Sequence, residues 1–236
     1  MTLTLDSLCT AMGIDTRPVG IYDAPDPARF APTIPLQRCL FDHYQDWQDG
    51  KTVVIGPDTR GCPGCSRWLL GADRFASREA MVRFLADQEG LRETHELMEA
   101  WLDVHHVPAP AHGHILVGPV REDQGPYLRT VTFFVNPDQL GVLLYGASYH
   151  AHPSDPEPVL APFGSGCGQM LNLFPDLGAA QAVIGATDIA MRRFLPPDRL
   201  AFTVTVPMLE RLLRLDDGHS FLGKSFLEQL WASRGV

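Results

Sequence analysis

Short apolar blocks rich in Val, Ile and Phe recur along the chain, separated by polar and Pro/Gly punctuation. They predict strands at Val19–Tyr22, Thr52–Ile55, His114–Val117, Thr130–Val135, Ala182–Gly185 and Leu200–Val206. In the last of these, Phe202, Val204 and Val206 face one way and Thr203 and Thr205 the other, as a half-buried strand would. Apolar positions at helical spacing predict helices at Leu36–Gln48, Ser77–Gln88, Thr94–Val104, Pro137–Tyr149, Asp188–Phe194, Pro207–Leu215 and Lys224–Ser233. Ser77 is placed to cap its helix, with Glu79 and Arg83 one turn apart behind it. Leu209, Leu212 and Leu213 form an apolar stripe. The Pro-rich segments 24–36 and 150–158 read as extended surface loops. Strands alternate with helices, so the expected fold is α/β or α+β, a mixed sheet with surrounding helices.

The length of 236 residues suits one domain, 1–236, with a helical insertion at 77–104. A repeat is also visible. Val19–Tyr22, a helix, Thr52–Ile55 and the turn Arg60-Gly61-Cys62-Pro63-Gly64-Cys65 make one series. Thr130–Val135, a helix, a short strand near Val159–Ala161 and the turn Gly164-Ser165-Gly166-Cys167-Gly168 make another. Cys62 and Cys167 are 105 positions apart, and Val53 and Val159 are 106 apart. Duplicated halves at 15–75 and 128–178, or coincidence between two common patterns, would each give this, and both readings stay open. A true repeat would bring the two Gly-Cys turns to one interface.

Charge narrows the partners. Nineteen Lys and Arg against 28 Asp and Glu give a net charge of −9. Such a chain repels phosphate backbones, and its densest basic cluster is only Arg192-Arg193, so nucleic acid is not expected. No run approaches the ~20 apolar residues of a spanning helix, so no membrane is expected either. The start, Met1 to Ile14, lacks the pattern of a signal peptide, and five cysteines is an odd count. Together these point to a cytoplasmic protein with free thiols or metal ligands rather than a disulfide framework.

The sharpest local chemistry is Cys62-Pro63-Gly64-Cys65. Two residues between thiols form a tight turn that aims both sulfurs one way. The spacing suits zinc, an iron–sulfur cluster or a redox dithiol. A helix starting just after the turn would lower the thiol pKa through its N-terminal dipole. The plain alternative is two small buried thiols. Cys167 lies among Gly166 and Gly168, where bare backbone can approach an anion or an inorganic sulfide. Cys39 sits on a predicted helix with His43 one turn later, and the pair could complete a ligand set, although a helical Cys is more often core. Cys9 has no partner pattern. His105-His106, His112-Gly113-His114 and His150-Ala151-His152 read as solvated loop histidines. Asp188 and Arg192 read as a surface ion pair.

Taken in order, several short motifs resemble one family. Gly61-Cys62-Pro63-Gly64 followed by Trp68-Leu69-Leu70-Gly71 is similar to its first cysteine–glycine turn. Gly166-Cys167-Gly168 is similar to its second. Asn136-Pro137 before a helix with Leu143 and Leu144, Ile184-Gly185 before Asp188-Ile189-Ala190, and Phe202-Thr203 leading to Pro207 follow the same order. So does a Ser-Phe-Leu, at Ser220 or Ser225, ahead of Trp231. The family is the ArCR-like domain-of-unknown-function family 169, and the resemblance runs from about Pro18 to Trp231. It implies one integrated domain and directs attention to Cys62 and Cys167. It brings no activity. Cys65 departs from its pattern, standing where a small residue is usual.

Two functional expectations follow. In the first, Cys39, Cys62, Cys65 and Cys167 hold an iron–sulfur cluster, or zinc as a variant, in a redox or substrate-activating protein. Gly61, Gly64, Gly166 and Gly168 would donate backbone N–H groups to the cofactor. In the second, the chain is a small-molecule or anion-binding module or a non-redox enzyme, with the two Gly-Cys turns lining a cleft. The expected partners are a small molecule or a redox protein, with a homodimer as the assembly. No catalytic acid or base stands out.

Overall fold

A computed structural model describes residues 3–59, 61–71, 75–105, 109–215 and 219–235. In chain order the elements are α1 (Leu5–Ala11), β1 (Val19–Asp23), β2 (Thr33–Pro35), α2 (Tyr44–Gln48), β3 (Thr52–Ile55), α3 (Pro63–Leu70), α4 (Arg78–Arg83) and α5 (His95–Val104). Then come β4 (Ile115–Pro119), β5 (Leu128–Val135), α6 (Pro137–Ser148), β6 (Val159–Leu160), α7 (Gly166–Leu171) and β7 (Ala182–Gly185). The chain closes with α8 (Ile189–Arg192), β8 (Leu200–Thr205), α9 (Val206–Leu213) and α10 (Ser225–Arg234).

The strands form one eight-stranded mixed sheet in the order β2-β3-β4-β1-β5-β8-β7-β6. Only the outermost pairs, β2 with β3 and β6 with β7, are parallel. The order and pairing senses are unchanged when β1–β4 are exchanged with β5–β8. That exchange sets β6 opposite β2 and β7 opposite β3, so it does not follow the register that aligned Val53 with Val159.

Helices cover both faces of the sheet. Val19, Ile21, Val53, Ile55, Ile115, Val117 and Phe134 pack under α2, α3, α4, α5 and α7. Val131, Phe133, Val135, Phe202 and Val204 pack under α1, α6, α9 and α10. This corrects the half-buried reading of the eighth strand. Thr203 and Thr205 are as buried as Phe202 because the second face also carries helices, and the Thr203 and Thr132 hydroxyls satisfy each other at 2.9 Å. Burying those hydroxyls unpaired would be costly.

Local chemistry accounts for most of the element boundaries. Pro63 opens α3 and Gly71 closes it in the left-handed region at φ 62°, the asymmetry expected of helix ends. Asn136 and Gln139 exchange capping bonds at the start of α6. Ser77 caps α4 through the Ala80 N–H, and the helix runs on as a π segment over Phe84–Gln88. Glu79 and Arg83 pair as expected.

Two further expectations fail. The Pro-rich segment 24–36 contains β2, an edge strand whose proline lies at its end, where a missing N–H is tolerated. Leu36–Gln48 is not one helix. Residues 36–39 are irregular, a 3-10 turn spans Leu40–His43, and only Tyr44–Gln48 is α-helical. Arg60 and His106 lie outside the described residues.

Candidate functional site

α3 and α7 pack side by side over the sheet. Trp68 of α3 meets Trp101 of α5 edge-on at 5.1 Å, and the Thr130 hydroxyl of β5 donates to the Met170 carbonyl of α7 at 2.7 Å. Three close approaches draw separate turns to the N-terminal ends of these helices. At Gly61 a Cβ would fall 2.5 Å from the Leu36 side chain and 3.1 Å from the Arg38 carbonyl oxygen. The bare backbone there lets the Cys62 N–H donate to Arg38 O at 3.4 Å, which seats the Cys39 segment beside Cys62. At Gly166 a Cβ would meet Phe41 at 2.9 Å and Met191 at 3.0 Å. Gly166 therefore allows the start of α7 to touch both the segment after Cys39 and helix α8. Third, Gln169, fully buried on α7, donates to the Pro162 carbonyl and the Thr187 hydroxyl and accepts from the Thr187 N–H. This brace holds the turn before α8, where Ala186 sits at φ 59°, a strained conformation for a residue with a Cβ.

These approaches enclose a cavity of about 130 Å³, lined by Cys39, Cys62, Cys65 and Cys167 together with Glu89 and Asp188. All four thiols are free; Cys65 and Cys167 are buried, and Cys39 and Cys62 half-buried. The two Gly-Cys turns thus meet although Cys62 and Cys167 are 105 positions apart. Cys39 arrives on an irregular segment rather than on a helix, and His43 does not join it. Instead the buried His43 ring bonds Asp46 through Nδ1 at 2.9 Å. Of the four glycines, Gly64 and Gly166 line the cavity. Gly61 acts through the close approach described above, and the Gly168 carbonyl accepts the Asn172 and Leu173 N–H groups behind the cavity. Cys9 lies across the sheet, on α1 in the other core.

The thiols perturb one another. Cys167 is pushed well above the ordinary thiol range by its hydrogen bond with the Cys65 thiol, then by burial and by the other cavity thiols. Burial pushes Cys39 up to about 11. Burial also raises Cys62, although the N–H groups of Cys65 and Gly64, at the start of α3, point at its sulfur and pull the other way. These three thiols are therefore protonated at neutral pH. Glu89 rises to about 7, first through burial and then through the nearby charge of Asp188. Among the described residues, no three His, Cys, Asp or Glu side chains converge as a group that could hold a single metal ion.

Asp188 and Glu89 are the site residues that sequence reasoning missed. Asp188 does not pair with Arg192. Its carboxylate caps α8 through the Ala190 N–H at 2.9 Å and accepts the Gly166 N–H at 3.2 Å. Arg192 instead donates to the carbonyls of Pro196, Pro197 and Arg199. An Asp directly before a short helix is an N-cap signal, and it could have been read that way. Glu89 follows the π segment and carries no sequence signal. His105 bonds the Trp101 carbonyl and His152 bonds Ser154 within their own segments, whereas His112 bonds Asp23, 89 positions away. Among the described residues no helix is long and apolar enough to cross a membrane.

Fold and site together define an α/β protein with a four-cysteine cavity at the N-terminal ends of two paired helices. The chain belongs to DUF169, the family described as Uncharacterised ArCR, which it matches over residues 7–214. No curated protein and no solved structure matches it.

Proposed function

We propose that this cavity holds a cysteine-ligated iron–sulfur cluster, most simply of the four-iron type, and that the protein moves electrons or activates a small substrate beside it. The observation that carries the reading is the gathering of Cys39, Cys62, Cys65 and Cys167, four of five cysteines, around one cavity with no disulfide between them. Four thiolates suffice for a cluster. The N–H groups of Gly64 and Cys65 aimed at the Cys62 sulfur would stabilise a thiolate there.

Among the described residues, Glu89 and Asp188 face the cavity, and Arg193 is its cationic lining residue. An anion is disfavoured, because the Gly166 N–H that would greet it already bonds the Asp188 carboxylate. A zinc ion needs its sulfur donors about 2.3 Å from a single point. A cluster spreads its thiolates over separate irons, which suits thiols standing around a cavity wall. Binding must release the thiol protons, so loading should strengthen as pH rises.

The test is iron and sulfide per chain after purification without oxygen and reconstitution with ferrous iron and sulfide, for wild type, Cys167→Ser and Cys9→Ser. A hydroxyl is a poor replacement for a thiolate ligand, so Cys167→Ser should lose most of the iron while Cys9→Ser keeps it. Wild type carrying less than about a tenth of an equivalent of iron would end the cluster reading. Full loading of Cys167→Ser would remove Cys167 from the ligand set.

A further inference from the structure

A second cavity, of about 230 Å³, lies at the other end of the α3–α7 pair. Its apolar wall comes from Leu69, Ile115, Leu171 and Leu177, and its polar groups are Arg129, Asn172 and Asp23. Arg129 reaches it by a local irregularity. In the β1–β5 pairing Ile21 faces Thr130 and Tyr22 faces Leu128, so Arg129 is the extra residue of a β-bulge. A bulge re-aims the side chain that it carries. Asp23, buried, fixes the guanidinium with one bond of 2.9 Å from Arg129 Nη2. The same carboxylate is otherwise taken up by the N–H groups of Ala111 and His112 and by the His112 ring. A guanidinium has five N–H donors, and that ion pair uses one of them. Asn172, which ends α7, has a buried Nδ2 with no acceptor among the described residues. The site thus has an apolar wall, an anchored arginine with donors to spare and an unmatched amide.

We infer that this cavity is a binding site for a small aryl or branched-alkyl carboxylate, its carboxylate on Arg129 and Asn172 and its apolar body against the four aliphatic side chains. The size fits: an engineered cavity of about 150 Å³ accepts benzene, so this one has room for a ring and an acid group. An apolar pocket with a few convergent polar groups is the usual form of a small-molecule site. Arginine matches a carboxylate better than a point charge would, because its planar fork can make two bonds. The two cavities are linked through the helices. Leu69 stands four residues after Cys65 on α3, and Leu171 four residues after Cys167 on α7. Four residues span about 6 Å of helix, so the bound acid would lie one turn beyond the thiols. Its role as the substrate of that centre rests on the cluster reading; its binding does not.

The probes are phenylacetate and 3-phenylpropanoate, each against its neutral carboxamide, titrated into metal-free protein by calorimetry and by methyl NMR of the leucines and isoleucines. Both acids should bind saturably, at least tenfold tighter than the amides, and shift the Leu69, Ile115 and Leu171 methyls. Arg129→Gln should erase the preference for the acid, and Leu177→Trp should block acid and amide alike. Because Leu177 takes no part in the ion pair, the second variant still decides if the first is unstable, and the wild-type methyl shifts need no variant. No saturable binding up to about 10 mM, equal affinity for acid and amide, or shifts confined to other methyls would each overturn the inference. Acid binding in a chain that never takes up iron would sink the cluster reading alone. A loaded cluster in a chain that binds neither acid would sink this inference alone.

Discussion

Glu89→Gln in the metal-free protein tests the electrostatics of the thiol cavity. Burial and Asp188 carry the Glu89 carboxyl from 4.5 to about 7 in the folded state. The folded chain therefore holds this proton more tightly than the unfolded chain. The stability this contributes is full below about pH 4.5 and is lost as pH rises through about 7. At 1.36 kcal/mol per pH unit the ceiling is ~3 kcal/mol. The side chain is only partly buried, and solvent screening reduces the effect to ~1–2 kcal/mol. Glutamine keeps the shape and cannot ionise. Glu89→Gln should thus match wild type near pH 5 and be more stable by ~1–2 kcal/mol near pH 8. Urea unfolding at both pH values reads this directly as a change in midpoint at constant slope. A stability difference that is the same at both pH values would refute the argument, because it would show that Glu89 ionises in the cavity without cost.

Three further substitutions test the packing around the site and beyond it. Gly64→Ala places a methyl 3.6 Å from the Cys62 sulfur, an ordinary contact, so stability should change by less than ~1 kcal/mol while iron uptake falls; unchanged loading would show that the cofactor does not reach this wall. Gly61→Ala, whose Cβ would strike Leu36 and the Arg38 carbonyl, should instead lower the melting temperature, and an unchanged value would remove the close approach from the account. Leu212→Ala, at a fully buried position of α9, should cost ~2–5 kcal/mol by chemical denaturation, and a cost below ~0.5 would mean that the helix face is not core.

Some of this protein is determined by local sequence. β3 and β7 fall where Thr52–Ile55 and Ala182–Gly185 put them, because short β-branched runs between turns have one good local solution. The capping residues Ser77 and Asn136 and the Pro63–Gly71 frame of α3 act within a single helical turn, so they too are readable without the fold. The cysteines of the two Gly-Cys turns were identifiable for the same reason, since a Cys-x-x-Cys turn carries its own geometry.

The rest depended on contacts between distant segments. Leu36–Gln48 has helical spacing, yet its first residues follow β2 without helix and are held by the close approach at Gly61, so Cys39 reaches the cavity from an irregular segment. Thr203 and Thr205 alternate as solvent-facing residues do, and only the helices on the second face made them core. Asp188 looked like half of an i,i+4 ion pair until the Gln169 brace and the Gly166 backbone turned it toward α7. Arg129 and Asn172 had no motif at all: a one-residue bulge aims the first, and the end of α7 leaves the second unmatched. Local propensity sees a few residues at a time, whereas these placements depend on segments well outside such a window, across a sheet whose order no short window contains.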